Sequence, residues 1–92
     1  MNTPLVLSDD TIILLGHLAA TLQTQRPAAE MREPIRLARA LVLAEQLYPD
    51  KPEAAFAAEQ DLLAAAPPVR PGQTRGEYAA LLRLIAQGVT SR

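Results

Sequence analysis

Apolar positions recur at three- and four-residue intervals along most of this chain, the period of a helix with one buried stripe. Leu15, Leu18, Ala19 and Leu22 form the first stripe. Ser8 stands ahead of it as an N-cap, with Asp9 and Asp10 where negative charge suits the positive end of the helix dipole. A second pattern runs through Ile35, Ala38, Leu41, Val42, Ala44 and Tyr48. It covers most of a helical circumference, so this helix is expected to be the most buried. Pro34 suits its first turn, and Pro49 ends it. A third stripe, Ala55, Phe56, Ala58, Leu62, Leu63 and Ala66, stops at Pro67-Pro68. Asp50 with Glu53 reads as its capping box. The last stripe holds Tyr78, Leu81, Leu82, Ile85 and Val89, entered through a second capping-box pattern at Thr74 and Glu77 and left at Gly88.

The expectation is an all-α domain spanning 1–92, with four helices in two hairpins at about 8–24, 34–48, 52–66 and 75–88. Residues 25–33 form a connector with room for a turn of its own, and residues 67–74 (PPVRPGQT) form a proline-rich loop. The short link around Pro49 makes the second and third helices spatial neighbours.

Composition agrees with helices. The 17 Ala and 15 Leu favour them, and the few Val and Ile residues never alternate with polar ones as strands require. With only Tyr48, Phe56 and Tyr78 as aromatics the core is thin, so a partner or self-association would help to stabilise it. A net charge of −1 speaks against an electrostatically driven nucleic-acid binder. The absence of cysteine removes disulfides, thiolate metal sites and a cysteine nucleophile. His17 has no second ligand at metal-binding spacing, and no glycine-rich phosphate loop is present. Neither a catalytic residue, a metal nor a cofactor is therefore expected. The N-terminus lacks the basic start of a signal peptide, and the apolar run from Ile12 to Leu22 is too short to span a bilayer. A cytoplasmic protein without a membrane partner is the reading.

Some residues break the amphipathic pattern. Ile13 projects among Asp10, His17 and Thr24, Leu43 lies between Arg36, Arg39 and Gln46, and Leu84 sits beside Glu77 and Ala80. Off-stripe apolar residues are either ordinary surface positions or parts of a docking face. Glu59 falls inside the apolar arc of the third helix and calls for an Arg partner from the second or fourth helix, or for a polar contact with a bound protein. Arg32, Arg36 and Arg39 share one side of the start of the second helix, as a solvated face or as a site for an acidic protein partner or a nucleic acid. The candidate partner-binding set is thus Ile13, Arg36, Arg39, Leu43, Glu59 and Leu84.

The segment ALVLAEQLYPDKPEAAFAAEQDLL resembles the junction between consecutive tetratricopeptide repeats. Ala44 and Pro49 match a small residue five positions ahead of a proline, residues 50–54 match the immediate restart, and Leu15-Gly16 resembles the Leu-Gly pair of a repeat's first helix. Gly16 and Ala44 stand 28 positions apart, wider than the repeat allows, so residues 25–33 read as an insertion. The resemblance is to a degenerate two-hairpin unit, as in small chaperones of type III secretion systems. It implies binding of a helix or extended segment of a secretion component, without catalysis.

The leading expectation is a non-enzymatic adaptor or chaperone that docks another protein through exposed apolar residues and flanking charges, with a homo-oligomer as a further possibility. One alternative is a nucleic-acid-associated regulator such as a small repressor or antitoxin. It is weakened because the third helix carries no Arg and has only Lys51 nearby. The other alternative is an accessory subunit or phage-encoded inhibitor of a larger complex.

Overall fold

The computed structural model describes residues 7–88. Its four helices are α1 (Asp9–Thr24), α2 (Glu33–Leu47), α3 (Pro52–Ala65) and α4 (Arg75–Ala86), and no strand occurs among the described residues. These bounds fall within two residues of those read from the sequence. Val89, assigned to the last stripe, lies outside the described residues.

Two helices open on side-chain caps and two on prolines. Ser8 Oγ accepts from the Thr11 backbone N–H at 3.1 Å. Thr74 and Glu77 close a full capping box, with bonds of 3.1 and 2.9 Å. Each satisfies amides that the first helical turn leaves free. In α2 and α3 a proline occupies the first turn and no side chain caps the end. The expected Asp50–Glu53 box is absent for this reason. Pro52 holds Lys51 outside the α region at φ −133°, so Lys51 becomes the cap. Glu53 then comes one position too early to reach back.

α1 packs against α4 and α2 against α3, and α1 also touches both helices of the second pair. It is the central helix, burying Thr11, Leu14, Leu15, Leu18, Ala19 and Leu22. This corrects the expectation that α2 would be the most enclosed. Only Arg36, Ala40 and Ala44 of α2 are buried, while Leu37, Leu41 and Val42 are exposed. Those three buried positions share one face at i, i+4 and i+8. No further layer covers the other faces, although their residues are just as apolar.

The connector at residues 25–33 is part of the fold. Arg26, in the left-handed region at φ 57°, turns the chain out of α1. Residues 29–31 then run antiparallel to 73–75: Met31 N–H donates to Gln73 O at 2.7 Å and Arg75 N–H to Ala29 O at 2.9 Å. Gly76 N–H donates to Pro27 O at 2.9 Å, an approach that glycine permits, since a Cβ there would stand 3.3 Å from that oxygen. Met31 is buried with the core leucines.

Arg36 fastens the second hairpin. The residue is 8 % exposed. Nη2 donates to Leu63 O and Ala66 O at 2.8 Å each, Nε to Ala66 O at 3.3 Å, and Nη1 to Glu33 Oε2 at 2.5 Å. Glu33 also accepts from Val69 N–H at 3.4 Å, and Tyr78 Oη donates to Pro67 O at 2.6 Å. The carbonyl end of α3 has no basic residue of its own in its last turn. A cation on α2 fills that role, opposing the negative end of the dipole and satisfying acceptors left free there.

Two stability measurements check this picture. Arg36→Ala should lose about 2–4 kcal/mol in urea unfolding, because it strands buried carbonyls and Glu33, whereas Arg39→Ala should stay within about 0.5 kcal/mol. Equal losses for both would remove Arg36 from its central position. Gly16 lies inside α1 with nothing near an added Cβ. Gly16→Ala should therefore stabilise by about 0.5–1 kcal/mol through helix propensity alone.

Candidate functional site

The six residues singled out in the sequence have separate fates. Ile13 on α1 and Leu84 on α4 are exposed, as expected. Leu43 is half-buried and packs against the core, lining a cavity of about 250 Å³ with Leu14, His17, Gln46 and Leu47. It is not a free apolar side chain. Arg36 is withdrawn from the surface, which corrects both the solvated-face and the partner-binding readings for that residue. Its backbone acceptors lie 27 and 30 positions away in the chain, out of reach of any helical-wheel argument. Arg39 is spent on Gln25 Oε1 at 2.6 Å. Leu43 and Glu59 line different cavities, so the set does not form one site.

Glu59 does mark a site. It lines a groove of about 400 Å³ where α2 and α3 meet, together with Leu41, Glu45, Tyr48, Pro49, Pro52, Ala55 and Phe56. Phe56, expected in the buried arc, is 63 % exposed, more than any other large apolar residue described. Leu41, also expected in the core, is exposed, and so is Leu37 one turn before it. The alanines hold the sign of this arrangement. Four of the six buried positions of the two helices are alanines, Ala40, Ala44, Ala55 and Ala58, beside Arg36 and Leu62. Small residues at facing positions let helix axes approach, and the larger neighbours on the wheel are then displaced to the rim.

The Arg partner expected for Glu59 does not form. Among the described residues the ion pairs are Arg32–Glu30 and Arg36–Glu33, and neither Glu45 nor Glu59 belongs to one. Arg83, the α4 candidate, donates to Gln23 Oε1 from Nε and Nη2 at 3.1 and 2.6 Å. The groove thus carries two unpaired carboxylates beside a leucine and a phenylalanine. Tyr48 closes one end, its hydroxyl donating to the Asp10 carboxylate and tying the C-terminus of α2 to the first turn of α1. That hydrogen bond, then burial, then the Asp10 charge raise the Tyr48 pKa above its ordinary value. Tyr78 is raised as well, first by burial, against the opposing charge of Arg36.

None of the eight lining residues is a serine, threonine, cysteine or histidine. Among the described residues no group of three or more His, Cys, Asp or Glu is placed to hold a metal, and no helix is long and apolar enough to cross a membrane. What the arrangement offers is apolar area with a charged edge. Set against known proteins, the chain matches no family model, no curated protein and no solved structure.

The tyrosines give a pH test. Both folded-state pKa values lie above the ordinary tyrosine value, so folding favours the neutral phenols. Their stabilisation is complete below about pH 10, the unfolded value, and is lost as pH rises through the raised folded values. Stability measured across that range should fall, and Tyr78→Phe and Tyr48→Phe should each flatten the fall. An alkaline limb unchanged in both variants would contradict the assignment.

Proposed function

We propose that this chain is a small protein-binding module, adaptor-like or chaperone-like and without catalysis of its own, that docks a partner protein in the groove between α2 and α3. The observation that carries the reading is Phe56. A phenylalanine 63 % exposed, lining the groove with exposed Leu41, is an anchor of the kind found at the centre of interfaces. Small proteins rarely leave such side chains grouped in water without a use. The groove also coincides with the junction that resembles a tetratricopeptide repeat. That likeness, and the cytoplasmic setting that goes with it, are part of the proposal.

The nucleic-acid reading is the weaker one. α3 would be the recognition helix of a helix-turn-helix, yet it exposes Glu53 and Asp61, with Glu59 half-exposed. Carboxylates on that face would repel phosphate.

A photo-crosslinking side chain at Phe56 gives the direct test in cells of the native host. A discrete adduct should form there and vanish when Leu41→Asp is added. The fold should survive, since an exposed substitution costs no more than about 0.5 kcal/mol. An adduct pattern identical to that from a crosslinker at Arg70, on the exposed proline loop, would overturn the reading.

A further inference from the structure

The chemistry of the groove says what kind of partner fits it; this rests on the docking reading above. None of its eight lining residues is cationic, and two of them, Glu45 and Glu59, are carboxylates without an ion pair. The same end of the molecule gathers further acids. Asp10 is held there by Tyr48, and Asp50 and Glu53 flank the turn, with Lys51 between them. The whole chain is nearly neutral, at −1, so this is a local negative field and not an average property.

We infer that the groove takes a basic amphipathic helix of another polypeptide, its apolar side chains seated between Leu41 and Phe56 and its Lys or Arg residues facing Glu45 and Glu59. A helix is favoured over an extended segment because the described residues include no strand whose edge could supply backbone pairing. A helix satisfies its own backbone and asks only for a side-chain groove. A second copy of this chain is disfavoured by charge. Two-fold pairing through the groove would set Glu45 and Glu59 of one copy against the same carboxylates of the other, with no lining cation to offset them.

The test uses designed helical peptides of about 18 residues that share one leucine stripe and differ only in flanking Lys, Gln or Glu. Fluorescence anisotropy with the full chain should show the Lys peptide binding at least about tenfold tighter than the Gln peptide, with the advantage shrinking as salt is added. Glu45→Lys combined with Glu59→Lys should reverse the order of the Lys and Glu peptides. Glu45→Gln with Glu59→Gln, a milder change, should level them, and Phe56→Asp should abolish binding of all three. Equal binding of the three peptides, still abolished by Phe56→Asp, would overturn the charge inference and leave the docking reading standing. Failure of every peptide while the Phe56 crosslink to a partner persists would also overturn the inference alone. A concentration-dependent dimer lost in Phe56→Asp would overturn it in favour of a second copy.

Discussion

A helix ends with carbonyl groups that have no partner of their own, and in α3 those carbonyls meet a buried guanidinium from α2. Arg36 reaches Leu63 O and Ala66 O, while Glu33 holds its other side and accepts from Val69 N–H. Tyr78 of α4 bonds to the adjoining carbonyl of Pro67. Three helices and the loop after α3 therefore converge on one cation. The turn around Pro49 fixes one end of the α2–α3 hairpin, and Arg36 fixes the other. The groove lies on the hairpin that these two restraints hold.

The local signals in the sequence were sufficient for the elements. Ser8, Thr74 and the prolines at 34, 49, 52 and 67 mark helix ends by direct steric or hydrogen-bonding rules that act within a few residues. The failures are of a different physical kind. The Asp50 cap lost to Pro52 because a steric constraint on Lys51 moved the helix start. Arg36 looked like one member of an exposed basic stripe, with Glu33 a suitable i−3 companion. Its burial depends on backbone acceptors 27 and 30 positions away, which no periodicity encodes. The tyrosine hydroxyls likewise find Asp10 and Pro67 only through the tertiary fold.

The candidate site was half legible for a related reason. Glu59 stood out as a carboxylate in an apolar arc, and it does line the groove. Phe56 and Leu41 were hidden by their own hydrophobicity. On a helix that is apolar nearly all round, side-chain type does not say which face meets a neighbour. Here Ala40, Ala44, Ala55 and Ala58 are buried while Leu37, Leu41 and Phe56 are turned to water. A core built this way removes little apolar area per residue. The large residues that would have deepened it form the rim of the groove.

That arrangement leaves an apolar surface in a small protein at risk of self-association, and the carboxylates bear on this risk. Glu45 and Glu59 have no ion pair among the described residues and are free to act on whatever approaches. Like charges repel a second copy, and opposite charges attract a cationic partner, through the same two side chains. Apolar burial alone is indifferent between the two, because leucine and phenylalanine pack as well against a copy as against a partner. In the proposed docking, discrimination therefore rests with the acidic edge, while Phe56 and Leu41 supply the area that makes any contact worth forming.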